Sequence, residues 1–357
     1  MPILDKNNVK EVERYEEFVK NSRASFMQST KWAKVKTNWE SEYVYIEEDG
    51  KIKACMSILL ERVKKTKFYL AYSPRGPIGC DIKDVETVEK LVKEAEKLRE
   101  KYNIFVFKFD PNIKYDETIS KMYSSKGFKV LNKNVSKDDL IQPLHDMILY
   151  LDGYDEDGIF KTFSEKTRYN TRLSKRKGVE VYYSNDEKDL KIFYELYKIT
   201  SIRDRLVCRS YEYFKNMLEA FDKDQIRIYI TKHEEDYLSA AITLNYGGEV
   251  FYLYGASSNV KRNLMPNYSM QWEMIKWAFE TKAHIYNFGG VLELNPDDGL
   301  YKFKIGFCKK DGITEYLGEI DKVYNNFVYF GFRYVLPVIK KVKRFFRNVK
   351  RDLAAKR

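Results

Sequence analysis

The sequence predicts a mixed α/β (α+β) fold in two units of similar plan. First, 357 residues suit about two domains of ordinary size. Second, runs rich in aromatic and β-branched residues alternate with charged stretches of helical period. Third, the order of these runs recurs. Ala54-Cys55-Met56-Ser57 has a counterpart in Ala240-Ala241-Ile242-Thr243, and Phe68-Tyr69-Leu70 in Phe251-Tyr252-Leu253. A helix at 83–102 corresponds to one at 266–282, and a strand at 103–110 to one at 283–288. Two such units account for the length without a linker, and their interface is a natural place for a cleft.

In the first unit, residues 8–40 open with an acidic amphipathic helix and run into S-F-M-Q-S-T-K-W-A-K-V-K. Gln28, Trp32 and Lys36 fall at i, i+4 and i+8, one helix face. That face reads equally as a Trp packed beneath a solvated lysine stem. Strands follow near 42–47, 52–61 and 67–72, then the turn Ser73-Pro74-Arg75-Gly76-Pro77. The strand N-I-F-V-F-K-F-D-P sets Phe105, Phe107 and Phe109 on one face and ends at Asp110. An acid there faces the side on which open α/β sheets bind ligands, although Asp before Pro also makes turns.

Between the units lies the sharpest charge feature of the body. Lys166, Arg168, Arg172, Lys175, Arg176 and Lys177 sit in a helical run ended by Gly178. Arg168, Arg172, Lys175 and Arg176 share one face, fit either to bind phosphates or to stay solvated. After a helix at 187–201, Arg209 and Tyr213 stand four apart, a fork and a phenol suited to one anionic group. Arg203 and Asp204 read as a structural pair or cap. In 288–307, Gly289 and Gly290 break a buried strand and Asn295-Pro296-Asp297-Asp298-Gly299 is a turn. Lys302 and Lys304 then alternate with Tyr301, Phe303 and Ile305, which predicts a strand with Lys304 at its edge beside the glycines. Edge lysines also serve simply to block aggregation.

Net charge is +11, yet residues 340–357 hold nine Lys or Arg against Asp352, so the body carries only about +3. An aromatic, apolar stretch at 326–339, broken by Arg333 and Pro337, leads into that basic tail. The pair suits peripheral binding to an anionic membrane surface from the cytoplasm, or else a packed helix with a basic end. No run of about 18 apolar residues predicts a spanning helix, and the N-terminus has no secretory signal pattern. Four dispersed cysteines (55, 80, 208, 308) suit a reducing compartment, and three histidines argue against a histidine-rich metal site.

The chain resembles the FemABX family of non-ribosomal peptidyltransferases. The resemblance rests on Gln28-x3-Trp32-x3-Lys36, Y-S-P-R-G-P at 72–77, F-D-P at 109–111, K-T-R-Y-N at 166–170 and R-D-x4-R-x3-Y at 203–213. Further matches are Y-L-Y-G-A-S at 252–257, Y-N-F-G-G at 286–290 and G-L-Y-K-F-K-I-G-F at 299–307. It implies two tandem acetyltransferase-like (GNAT) domains, 1–146 and 147–317, with about 318–335 returning to complete the first and 336–357 as a basic tail. Too few residues separate Tyr213 from Tyr229 for the coiled-coil arm of some members. The implied activity is transfer of an amino acid from aminoacyl-tRNA to the side-chain amine of the third stem-peptide residue of a peptidoglycan precursor. That precursor is lipid II or UDP-MurNAc-pentapeptide, the lipid-linked form being favoured by the tail. By the same resemblance Lys36 and Arg209 bind the substrate's diphosphate, Tyr213 and Tyr254 line its channel, and Arg75 joins the substrate-binding set. Phe303 and Lys304 form the acyl-transfer centre, with Lys304 stabilising the oxyanion, and Asp110 on the peptide side positions the attacking ammonium or accepts its proton, unless the tRNA's own vicinal hydroxyl shuttles it. For this activity the basic face of Lys166, Arg168, Arg172, Lys175 and Arg176 is expected to take the tRNA. The ester is already activated, so no cofactor or metal is implied, and the protein is expected to act as a monomer.

Two rivals share the fold. An acyl-CoA-dependent N-acetyltransferase would need a Gly-rich loop at a helix N-terminus for pyrophosphate. The corresponding N-V-K-R-N-L-M-P-N-Y-S-M-Q-W has no glycine, and prolines interrupt P-R-G-P-I-G. A non-catalytic membrane- or RNA-binding adaptor would explain the basic segments but not Lys36, Arg209 and Lys304 together.

Overall fold

A computed structural model describes residues 3–136, 139–291 and 293–335, which form two mixed sheets flanked by helices. The first sheet holds β1 (Glu40–Glu48), β2 (Lys51–Arg62), β3 (Phe68–Arg75), β4 (Asn103–Pro111) and β5 (Lys129–Leu131). The second holds β6 (His145–Tyr150), β7 (Glu180–Ser184), β8 (Ile226–His233), β9 (Asp236–Tyr246), β10 (Glu249–Ser257), β11 (Ile285–Val291) and β12 (Ile313–Glu315). A returning strand, β13 (Glu319–Val323), inserts between β4 and β5 of the first sheet.

Helices α1 (Val9–Asn21) and α2 (Thr30–Val35) precede the first sheet; α3 (Val85–Glu96) joins β3 to β4, and α4 (Glu117–Ser125) leads to β5. Helices α5 (Glu156–Thr162) and α6 (Glu165–Arg176) precede β7, while α7 (Glu187–Arg203) and α8 (Tyr211–Ala220) link β7 to β8. Helix α9 (Pro266–Glu280) joins β10 to β11, followed by α10 (Gly299–Cys308) and α11 (Asn326–Phe330). Between Tyr213 and Tyr229 run only α8, a short link and the start of β8, with no arm.

The predicted repeat is present in the backbone: β2-β3-α3-β4 recurs as β9-β10-α9-β11. In each set a helical crossover brings the flanking strands side by side in parallel. Helix α3 shows why the local sequence obeys. Asp84 caps it, accepting from Thr87 N at 3.1 Å, and Val88, Leu91, Val92 and Ala95 repeat at helical spacing onto the sheet. The halves share a core: Phe26, before α2, packs edge-on against Trp32, Phe221 and Phe251.

Three local expectations change. Residues 299–308 form a helix, not a strand. Asp298 accepts from Tyr301 N at 2.7 Å as its cap, and Lys304, Phe307 and Cys308 share the buried face at i, i+3 and i+4. Five alternating residues mimicked period 2, and Lys302 points outward while Lys304 points in. Gln28, Trp32 and Lys36 do not lie on one continuous helix. Ser29 caps α2 after a 3₁₀ turn at Phe26–Gln28, and Lys36 ends α2. Gln28 is wholly buried, accepting from Ser57 N at 2.8 Å and donating to Ser73 Oγ and the Pro74 carbonyl. Phe105 sits at a bulge, with Ile104 opposite Tyr69 and Val106 opposite Leu70. It therefore packs with Tyr329 on the opposite face from Phe107 and Phe109.

Candidate active site

A cavity of about 1050 Å³ lies between the halves, with Trp32, Lys36 and Arg75 from the first and Arg209, Tyr254 and Lys304 among those from the second. Its origin is in the second sheet. Parallel pairing of β10 with β11 stops at Phe251 opposite Asn287, after which the strands part. Gly289 helps to turn β11 away, at φ +73°, where a side chain is strained. The diverging Tyr252–Ser257 and Phe288–Gly290 edges then line the opening.

One end of the cavity is cationic. The Lys36 ammonium stands 4.6 Å from the Trp32 ring and 5.4 Å from that of Tyr213, whose hydroxyl it reaches at 3.5 Å. The Arg209 guanidinium lies 4.7 Å from the Tyr213 ring, and Tyr254 donates to the Tyr213 hydroxyl at 3.1 Å. Burial, with Arg209 close by, holds Lys36 down at about 8. Among the described residues no carboxylate pairs with Lys36 or Arg209, so an incoming anion would relieve their repulsion. Arg203 instead grips Asp204 at 2.8 Å and the Ser257 carbonyl at 3.0 Å, the structural pair its spacing suggested.

At another part of the wall, Lys304 is 4% exposed and donates to the carbonyls of Gly289 at 3.2 Å and Gly290 at 2.9 Å. An ammonium has three donors, so one remains for a ligand. Burial lowers Lys304 to about 8, although Asp146 favours its charge. Phe303 lines the same wall, edge-on to Tyr268 at 5.0 Å.

Arg75 reaches the cavity from β3, its guanidinium 4.0 Å from the Tyr316 ring and 3.5 Å from Asp110 Oδ2. Asp110, expected on the peptide-binding side, is not among the residues that line the cavity. Its Oδ1 accepts from Tyr72 and from Arg75 N, both at 2.9 Å, and burial raises it to about 6 against the pull of Arg75. It sits behind Arg75 because β4 runs fully paired to its end. Two acids that do line the cavity, Asp146 and Glu249, went unmarked in the sequence. Asp146 opens an ordinary apolar strand, and Glu249 follows a Gly-Gly turn, where acids are common.

The basic helix α6 lies apart from this cavity. Arg168, Tyr169, Arg172 and Arg176 surround a shallow surface hollow of about 440 Å³. Arg168 donates to the carbonyls of Lys161 and Phe163, Arg172 lies 5.2 Å from the Phe160 ring, and Arg176 lies 5.9 Å from that of Tyr169. Lys166 and Lys175 are exposed outside the hollow. Among the described residues no group of His, Cys, Asp and Glu is placed to hold a metal ion.

A model of the FemAB family matches residues 11–237 and 223–336. Over 335 residues the chain is 37% identical to the UDP-N-acetylmuramoylpentapeptide-lysine N(6)-alanyltransferase of Weissella viridescens, covering 92% of this chain and 98% of that protein. It is 31% identical to the lipid II:glycine glycyltransferase of Staphylococcus haemolyticus (strain JCSC1435), with 95% and 98% covered. A crystal structure of FemX superposes with a TM-score of 0.80 at 27% identity, over 89% of this chain and 97% of that one. A tandem GNAT protein from the clavulanic acid pathway, 10% identical, shares the fold with a TM-score of 0.52 over 90% and 97% of the chains.

Proposed function

This chain belongs to the FemAB family, and from that premise we propose that it is a peptidoglycan-precursor aminoacyltransferase. It takes an amino acid from aminoacyl-tRNA and joins it to the side-chain amine of the third stem-peptide residue, building the interpeptide bridge. The carrying observation is one cavity with an unpaired cation pair, Lys36 and Arg209, and a buried ammonium, Lys304. The names of the two relatives, a precursor-lysine alanyltransferase and a lipid II glycyltransferase, support the same reading.

The chemistry assigns the roles. Lys36, Arg209 and the hydroxyls of Tyr213 and Tyr254 take the diphosphate common to both precursor forms. The amine attacks the ester carbonyl and negative charge gathers on its oxygen. The free donor of Lys304, fixed by two backbone carbonyls, stabilises that oxyanion, an effect of about 3 kcal/mol. Phe303 shields the reacting ester from water, Arg75 orients the peptide, and Asp110 holds Arg75 in place. Lys166, Arg168, Arg172, Lys175 and Arg176 receive the tRNA backbone. An activated ester suits this cavity better than acyl-CoA, because α9 opens at Pro266 with no glycine loop before it.

Lipid II is taken as the acceptor because the basic tail at 340–357 would keep the protein on an anionic membrane face. That tail lies outside the described residues; no helix among those described is long and apolar enough to cross a membrane. The test offers mixed charged tRNAs with lipid II or with UDP-MurNAc-pentapeptide and reads product mass. The reading requires a precursor heavier by one aminoacyl residue, formed only with charged tRNA and faster on lipid II. No adduct on either precursor, or an acetylated one from acetyl-CoA, overturns it.

A further inference from the structure

We propose that Glu249 takes the proton from the attacking amine, a role that rests on the acyl-transfer reading above. Among the described residues four carboxylates line the cavity, and three already serve the structure. Asp204 is bound to Arg203, Asp298 caps α10, and Asp146 Oδ2 accepts from Asn287 Nδ2 and the Tyr316 hydroxyl, each at 3.1 Å. Glu249 Oε1 accepts from Asn287 Nδ2 at 2.8 Å, while Oε2 has no hydrogen bond among the described residues. Glu249 therefore keeps one oxygen that accepts nothing among the described residues, while Asn287 holds the carboxylate in place through the other.

Asn287 ties that acid to the acyl-transfer centre. Its Oδ1 accepts from Gly289 N at 2.7 Å, and the Gly289 carbonyl accepts from Lys304 Nζ at 3.2 Å. Base and oxyanion donor are thus linked through Asn287 and Gly289 across the point where β10 and β11 part, and both line the same cavity. The charges of Arg75 and Asp146 and the Tyr316 phenol act on Glu249, and Asp146 also acts on Lys304. Burial raises the Glu249 carboxyl to about 7; Asp146 adds to the rise, and Asn287 and Arg75 oppose it. A base near the working pH is the most effective kind.

The step balances. The acceptor ammonium gives one proton to the Glu249 carboxylate and becomes a neutral amine. Its nitrogen bonds to the ester carbonyl carbon, and the carbon–oxygen bond to the ribose breaks. The second proton passes from nitrogen to the departing ribose oxygen, and Glu249 releases its proton to solvent.

The experiment follows transfer from alanyl-tRNA, or from whichever charged tRNA the wild type uses, to a lysine-containing UDP-MurNAc-pentapeptide. Glu249→Gln should lower kcat about 100-fold at pH 7 with KM for the precursor within about twofold. The deficit should shrink as pH rises and the acceptor amine loses its own proton, whereas a packing defect leaves it constant. Glu249→Asp should retain the acid limb of the profile. An unchanged kcat, or a deficit independent of pH, overturns the base role. If Glu249→Gln does not fold, Glu249→Asp carries the test: a retracted carboxylate should cost at least about tenfold in kcat, and an undiminished kcat overturns the proposal. A wild type that transfers nothing to either precursor sinks the acyl-transfer reading instead.

Discussion

The two parallel strand pairs are built on one plan and end differently. In the first half β3 and β4 stay paired from Phe68 opposite Asn103 to Arg75 opposite Pro111. In the second, β10 and β11 part after Phe251 opposite Asn287. Closed pairing leaves no opening between the two strands, and its strand-end charges, Arg75 and Asp110, form a buried ion pair at 3.5 Å. Open pairing leaves carbonyls at Gly289 and Gly290 that Lys304 occupies, and a cavity above them. On the proposed function the repeated unit divides the work: one copy supports the wall, and the other exposes the reacting groups.

The largest effect should follow from emptying the open pair. Lys304→Met keeps the apolar stem and removes the oxyanion donor, so kcat/KM for transfer should fall about 100- to 1000-fold. The pH profile sharpens the point. Glu249 acts as carboxylate above about 7 and Lys304 as ammonium below about 8, so the wild type should be most active between them. Lys304→Met should abolish the alkaline limb and leave the acid limb. A variant as active as wild type would mean that the open pair does no chemistry.

Next in size are the cations at the far end of the cavity. Lys36→Met or Arg209→Met should each raise the precursor KM about tenfold with kcat nearly kept, the pattern of lost ground-state binding. Loss of kcat at unchanged KM would move the diphosphate elsewhere. Smaller again, Arg168→Glu with Arg172→Glu should weaken tRNA binding several-fold and flatten its salt dependence, with precursor affinity unchanged. An unaltered tRNA affinity would return that helix face to solvent.

How much of this was legible depended on the range of the physics involved. The repeat was readable because each strand and crossover helix carries its own period, as α3 does with Val88, Leu91, Val92 and Ala95. Spacing marked Arg209 with Tyr213 and Lys304 beside the glycines as candidates, but only motif resemblance set these, Lys36 and Phe303 apart from surface residues, for nothing local distinguishes a cavity lysine from a surface one. The helix at Gly299–Cys308 was misread because five residues cannot separate period 2 from 3.6; the Asp298 cap was the better signal. The bulge at Phe105 has no sequence mark at all. Glu249 and Asp146 were missed for a deeper reason. Their importance comes from Asn287, 38 and 141 residues away along the chain, and from the splay that brings a cavity to them.

The smallest effect on transfer should come from Asp110, and it tests the comparison most directly. If the closed pair is support, Asp110→Asn removes the charge that holds Arg75 and leaves a buried guanidinium without its partner. Breaking a buried pair costs about 3–5 kcal/mol, so the loss should appear in Tm. The transfer rate should fall less than about tenfold, through a displaced Arg75, and the acid limb should stay near 7, where Glu249 titrates. If Asp110 itself receives the proton, the same loss of Tm comes with a kcat lower by about 100-fold, and the wild-type acid limb lies near 6, the value burial gives Asp110. The two limbs are about one pH unit apart, so one profile of the wild type beside one of Asp110→Asn assigns the proton to the open half of the molecule or the closed one.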